Sequence, residues 1–268
     1  MLKSIYYVLN ENFTNLYRIF CISRYELLAD MRDSKFGLFW NFASPAIQVI
    51  TYWLVFGVGM NRNGYDGVAY LPWVIVGFSA WWYLQPCITQ GCSAVFSKKD
   101  VITKMKFPIS ILPATVCAKE FFNHLCMMAI TIVVLLLYGY RPNVYWLNLI
   151  YYAFCAFMFV EALSLTTSVL TMMWRDVKKL VVSLIRMILY LSPVLWPAAF
   201  KNYPFMTFVM KLNPVYYIVT GYRDAVFFNK SFLRHPAMGL YFWIVILVLF
   251  VIGSSLMYHF KKKMIDMI

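Results

Sequence analysis

The chain has 268 residues, of which 62% are hydrophobic and 13% charged, with a mean hydropathy of +0.68. That balance excludes a soluble domain of this size and reads as a polytopic membrane protein. The net charge of +13 is spread between and beside apolar runs rather than along one soluble face, which argues for orientation in a membrane and against nucleic acid as a partner.

Residues 4 to 35 place Ile5, Leu9, Leu16, Ile19, Phe20, Leu27 and Leu28 at helical spacing, with Arg18, Arg24, Glu26 and Arg32 between them. The pattern predicts one amphipathic helix at the membrane surface, or else a helix packed on a partner protein. No short apolar core precedes a small-residue cleavage site, so no removable signal peptide is expected.

Leu38 to Met60 is the first long apolar run, about 35 Å as a helix and enough to span a bilayer, with Pro45 as a kink point. A polar loop, residues 61 to 67, leads to a second run at 70 to 96 that holds Trp73, Trp81 and Trp82, residues suited to an interface belt or a pore lining.

A basic elbow, Lys98-Lys-Asp-Val-Ile-Thr-Lys-Met-Lys-Phe-Pro108, then interrupts the oily sequence. It is long enough for a short helix, and Pro108 sets its exit angle. The third run, 109 to 137, carries Lys119, Glu120 and His124 near its start, read as a polar cluster near the inner face rather than a metal site.

A fourth run covers 145 to 174 and contains Glu161; the basic turn Arg175-Asp-Val-Lys-Lys179 follows. The fifth, 180 to 196, is short, holds Arg186 and reaches Ser192-Pro193. Phe205 to Leu212 and Val215 to Phe228 are too short to cross and too apolar for water, so they read as re-entrant or interfacial helices. The last run, 239 to 258, precedes Lys261-Lys-Lys263.

Charge supports this topology. Inside segments carry 15 Lys and Arg, the first two outside loops one each, and the long segment from 197 to 236 five. The expected fold is an all-α membrane protein. It has an N-terminal interfacial helix (1–35), a six-span domain (36–260) with extracellular re-entrant helices between spans five and six, and a tail (261–268), both termini cytosolic. Cys21, Cys87, Cys92, Cys117, Cys126 and Cys155 form no Cys-x-x-Cys pair and act as small hydrophobes.

No Gly-x-x-x-x-Gly-Lys-Ser/Thr stretch is present, so any ATP-driven activity needs ATP hydrolysed by another chain. Arg186 lies eleven residues beyond Arg175, about 16 Å along a helix and well inside the membrane. There it either touches an anionic ligand or pairs with Glu161 or Glu120. Tyr52, Trp53 and Phe56, with Tyr190 and Trp196, offer aromatic faces that serve ordinary packing or lipid contact. A membrane-bound transferase is the second class of function, although no nucleophile constellation has recognisable context.

Met31-Arg-Asp-Ser-Lys-Phe-Gly-Leu-Phe-Trp40, Ser44-Pro45 and Val55-Phe-Gly57 resemble the opening of type-2 ABC exporter permeases. So do Leu71-Pro-Trp-Val-Ile-Val-Gly77, Lys104-Met-Lys-Phe-Pro108, Trp174-Arg-Asp-Val177, Leu191-Ser-Pro-Val194 and Asn213-Pro-Val-Tyr-Tyr-Ile-Val-Thr-Gly-Tyr-Arg223.

Within that family, Asp66-Gly-Val68 with Lys104 to Pro108 and Leu212 to Tyr217 looks most similar to wall teichoic acid translocation permeases of Gram-positive bacteria. O-antigen and capsule exporters share the rest, and a small-lipid or drug exporter has the same fold. The resemblance implies a half-size permease in the bacterial plasma membrane that pairs with a second copy and binds two ATPase subunits. ATP and Mg sit on those subunits, and no cofactor is bound by this chain.

It further implies that Lys98, Lys99, Asp100, Lys104, Lys106, Phe107 and Pro108 contact the ATPase, a role set against simple anchoring to anionic lipid. An extracellular gate would form around Pro193, Asn213, Pro214, Tyr216, Tyr217 and Arg223. The cargo would be a polymer on a polyprenyl diphosphate, passing Tyr52, Trp53, Phe56, Arg186, Tyr190 and Trp196.

Overall fold

The computed structural model describes residues 2–32, 36–59, 64–65, 67–104, 107–197 and 203–266. Met105 and Lys106 of the elbow, Asp66 and residues 60–63 of the first loop lie outside them. Among the described residues the fold is all-helical, with a single isolated β-bridge between Tyr65 and Val68. In lipid a backbone must satisfy its own hydrogen bonds, and helices do so within one segment.

The N-terminal segment is not one helix but two, α1 (Leu2–Thr14) and α2 (Leu16–Arg32). Asparagines at the junction compete for backbone carbonyls: Asn12 Nδ2 donates to Val8 O at 2.9 Å and Asn15 Nδ2 to Glu11 O at 2.7 Å. Such side-chain bonds interrupt a helical ladder, which hydrophobic spacing alone does not reveal.

Six longer helices follow the six apolar runs. They are α3 (Leu38–Tyr52, continued by a π-helical segment Trp53–Gly59), α4 (Tyr70–Gly91), α7 (Ile111–Leu137), α8 (Asn148–Met173), α9 (Asp176–Leu191) and α12 (Pro236–Asp266). Between α4 and α7 sit the short α5 (Ala94–Ser97) and α6 (Lys99–Lys104), and between α9 and α12 lie α10 (Pro204–Leu212) and α11 (Pro214–Val226).

Among the described residues four segments are long and apolar enough to cross a bilayer: Phe42–Gly59, Ile111–Leu137, Val144–Met173 and Pro236–Lys261. The two others fall short for different reasons. The 22 residues of α4 make about 33 Å of helix, but aromatic, Pro and Gln side chains dilute its hydropathy. The 16 residues of α9 make about 24 Å, under the ~30 Å hydrocarbon thickness. Helix α9 stops at Leu191, short of the expected 196, because Ser192 precedes Pro193 and is extended (φ −107°, ψ 152°).

Helix α4 is the axis of the bundle. Trp73 and Trp81 are each 2% exposed, and Phe78, Tyr83 and Leu84 are fully buried. The first two thus pack in the core instead of forming an interface belt; only Trp82 reaches a rim, donating Nε1 to Gln48 Oε1 of α3 at 3.0 Å. Helices approach one another through small residues. Ser164 Oγ of α8 donates to Cys87 O of α4 at 3.3 Å beside Gly91, and Thr166 Oγ1 of α8 donates to Leu249 O of α12 at 2.9 Å beside Gly253. Without a hydrophobic drive between helices in lipid, close approach and short polar bonds hold the bundle.

Candidate functional site

One end of the bundle gathers the basic elbow, α1, α2 and the turn before α9. Helix α6 is short, with Asp100 in its first turn and Lys104 in its last, each favourable to the helix dipole. Ile102 is buried in an apolar cluster with Val95, Ile109 and Leu112, while Asp100 and Lys104 face outward. Phe107 packs against the cluster of Ile19, Ile111 and Ala114 and against the cluster around Ile102. The elbow is therefore seated by apolar contacts that leave its charges on the surface.

Two elbow cations are engaged. Lys98 Nζ lies 2.6 Å from Glu26 Oε1 of α2, with side chains 40% and 17% exposed. Lys99 Nζ sits 5.7 Å above the Phe96 ring, which also carries the Arg175 guanidinium at 5.2 Å. The two basic turns of the sequence thus meet across one phenyl ring. Lys106 lies outside the described residues.

The N-terminal helices are tied to α7 by a parallel series of polar contacts. Ser110 donates through Oγ and N to the Glu11 carboxylate, Ser23 Oγ donates to Thr115 O at 2.8 Å, and Lys119 Nζ bonds Asp30 Oδ2 at 3.0 Å. Lys119 also donates to Gln90 Oε1 of α4 at 3.0 Å and lies 3.4 Å from Glu120 Oε1. Lys119 and Glu120 are 7% and 6% exposed. At α1, burial and the Glu11 carboxylate, which accepts from Tyr7 Oη at 2.8 Å, raise the Tyr7 phenol above its ordinary range.

Sequence reading placed Lys119, Glu120 and His124 in one cluster, and the fold keeps them adjacent: Lys119 pairs with Glu120, and His124 lines the same cavity as Glu120 while its Nε2 lies 3.0 Å from the Tyr222 hydroxyl of α11. Asp30, Gln90, Glu11 and Ser110 were not singled out by sequence. The available signal was Lys119 itself, since a cation inside an apolar helix needs partners.

At the opposite end the residues expected to form a gate are brought together. Arg223 of α11 is 2% exposed. It donates Nη2 to Val194 O at 2.6 Å and to Trp73 O at 3.2 Å, Nη1 to Pro193 O, and stacks 4.0 Å from the Trp73 ring. Asn213 uses both ends of its amide, accepting from Val215 N at 3.0 Å as the cap of α11 and donating to Ser192 Oγ at 2.8 Å. Pro214 occupies the first turn of that helix, where a missing N–H costs nothing. Tyr217 is 3.4 Å from the Tyr151 hydroxyl, and Tyr216 is buried.

The aromatic set also assembles. Tyr52 stacks on Phe78 at 5.2 Å and lies within reach of Tyr190; Phe56 meets Trp196 edge-on at 5.7 Å. Trp196 belongs to the turn-and-bend segment after α9, not to the helix. Trp53 is 36% exposed and Tyr190 53%. Arg186 is exposed one turn before Tyr190 and forms no ion pair among the described residues. Neither expected partner is available: Glu120 is held by Lys119 and Asn123, and Glu161 Oε2 is buried without a hydrogen bond. Leu180, Leu184 and Met187 of the same helix are exposed as well.

An apolar helix bundle with a basic, ion-paired elbow at one end and a clamped loop at the other is the architecture of a multi-pass membrane permease. The pattern shared by ABC-2 type transporters matches residues 17–227, and the chain belongs to that family. It is the permease component of an ABC exporter, not itself an ATPase.

Among curated proteins it is similar to the O-antigen export system permease protein RfbA of Myxococcus xanthus, 25% identical over 217 residues, covering 80% of this chain and 82% of the relative. It is also similar to the protein of the same name from Klebsiella pneumoniae, 23% identical over 248 residues, covering 92% and 93%.

Proposed function

We propose that this chain is the membrane half of an ATP-driven exporter that moves a polyprenyl-diphosphate-linked polysaccharide across the bacterial plasma membrane. The relatives named for O-antigen export support a polysaccharide of that kind. They lend nothing to the wall teichoic acid reading drawn from motif resemblance, so the O-antigen alternative takes its place. Both cargoes share a lipid, a diphosphate and sugars.

The observation that carries the reading beyond family membership is Arg186. A permanent cation, exposed beside apolar side chains of its own helix and without an ion pair among the described residues, is costly in a membrane unless something polar covers it. In a dimer of this chain, the faces of α3 and α9 supply Arg186 for a diphosphate and Tyr52, Trp53, Phe56, Tyr190 and Trp196 for sugar rings.

Six spans with both termini in the cytosol fit the charge distribution, with α4 crossing inside the bundle and α9 followed by the turns through Trp196. Helices α10 and α11 then form the re-entrant outer layer, gated by Pro193, Asn213, Pro214, Tyr216, Tyr217 and Arg223. The elbow faces two partner ATPase subunits, which hold ATP and Mg.

Copurification from the native host tests this. The expected outcome is a complex with a P-loop ATPase whose turnover rises with lipid-linked O-polysaccharide and not with lipid-linked teichoic acid or small lipids. Activity of the isolated chain without any ATPase would sink the proposal.

A further inference from the structure

Between the elbow and the bundle lies a cavity of about 360 Å³, opened by α2, the end of α4, α5, the start of α7 and the start of α9. Its mouth carries Glu26, Lys98 and Lys178 with the hydroxyls of Thr89, Ser93 and Ser97, and its wall is apolar, formed in part by Leu112, Val116 and Val182.

The charges are unequal in what they leave free. Glu26 and Lys98 neutralise each other at 2.6 Å. Lys178 is exposed and forms no ion pair among the described residues, whereas its neighbour Lys179 is held by Asp176 at 3.0 Å. The uncompensated charge of the cavity is therefore the single cation Lys178.

The hydroxyls currently donate to helical carbonyls: Thr89 to Gln85 O at 2.9 Å, Ser93 to Gln90 O at 3.2 Å and Ser97 to Ala94 O at 3.0 Å. Those carbonyls keep their place in the helix if a hydroxyl turns outward, because a hydroxyl hydrogen rotates freely. A cation, rotatable hydroxyls and an apolar wall in one cavity match a phosphate group attached to a hydrocarbon chain.

We propose that this cavity is a binding site for the phosphate headgroup of a membrane lipid, with Lys178 as its anchoring cation and Leu112, Val116 and Val182 against the chain. Glu26, drawn to Lys98, stays clear of the phosphate. Two sources carry this chemistry: an anionic glycerophospholipid, or the diphosphate of a polyprenyl carrier, the latter resting on the export reading above.

The test uses the full chain in phosphatidylcholine nanodiscs, titrated with phosphatidylglycerol or with sugar-free undecaprenyl diphosphate, with retained lipid counted by native mass spectrometry. Lys178→Gln is expected to lower retention about fivefold, the worth of one cation near a phosphate, while Lys178→Arg and Lys179→Gln keep it. Both lysines are surface side chains, so matched elution profiles exclude misfolding as the cause.

Retention of both lipids assigns the site to membrane phospholipid, and retention of undecaprenyl diphosphate alone assigns it to the carrier. Each result upholds the phosphate site, and each does so even if export assays fail. Equal losses for Lys178→Gln and Lys179→Gln, or no loss for either, overturn it. So does unchanged lipid retention with loss of a copurifying ATPase, which would make the cavity a protein contact.

Discussion

Arg223 and Trp73, 150 residues apart, lock α11 onto α4: the guanidinium donates to the Trp73 carbonyl at 3.2 Å and lies 4.0 Å from its ring. The same cation accommodates the carbonyls of Pro193 and Val194, so one side chain fixes the turn after α9, the outer helix and the central helix. Its planar fork reaches several acceptors at once, which a lysine ammonium on a flexible stem does not.

Arg223→Ala leaves those buried carbonyls unsatisfied and is expected to cost about 3 kcal/mol. Arg223→Lys should recover only part of that. Thermal unfolding in detergent, read by intrinsic Trp fluorescence, checks both; wild-type stability of Arg223→Ala would refute the clamp.

Gly77 makes the clamp possible. A Cβ there would lie 2.6 Å from Arg223 Nη2 and 2.9 Å from Val194 O, so Gly77→Ala forces the segment outward. Overpacking of this kind costs about 1–3 kcal/mol. Limited proteolysis should cut between residues 192 and 203 faster in Gly77→Ala than in wild type.

At the other end, exposure decides which partner of Lys119 matters. Asp30 is 61% exposed and Glu120 only 8%, so Asp30→Asn should cost under about 1 kcal/mol. Lys119→Met strands the buried Glu120 carboxylate and should cost about 3 kcal/mol, most of it recovered in Lys119→Met/Glu120→Gln. The double-mutant cycle in a thermal-shift assay measures this, and a double variant as unstable as the single would contradict it.

Arg186→Gln breaks no ion pair among the described residues, so melting temperature and assembly with the ATPase should stay within error of wild type. Export of lipid-linked polymer by reconstituted vesicles should fall at least tenfold. Export at the wild-type rate would remove Arg186 from the cargo path.

Charge reversal at Lys98, Lys99 and Lys104 is expected to uncouple ATP hydrolysis from export or to release the ATPase. Coupled turnover at wild-type rates after reversal would leave the elbow only the role of a lipid anchor.

Much of the fold was legible because lipid imposes a simple rule: apolar runs of sufficient length become helices. The elbow and the two short outer helices follow from charge and run length in the same way, whereas the end of α9 at Leu191 falls short of the apolar run that extends to 196. Division of the N-terminal segment at Asn15 was not legible, since periodicity ignores asparagines that bond their own backbone.

By itself the sequence determined the helical class, the polar elbow, the absence of a phosphate-binding loop for ATP and the family. The tertiary structure decided what each charge does. Arg223 reads in sequence as one cation in an outer segment and Arg186 as a membrane-buried one, yet the first is clamped in the core and the second lies uncovered on the surface. Which of two arginines is structural depends on which carbonyls the folded chain brings within 3 Å, and that is a property of packing between segments far apart in the chain.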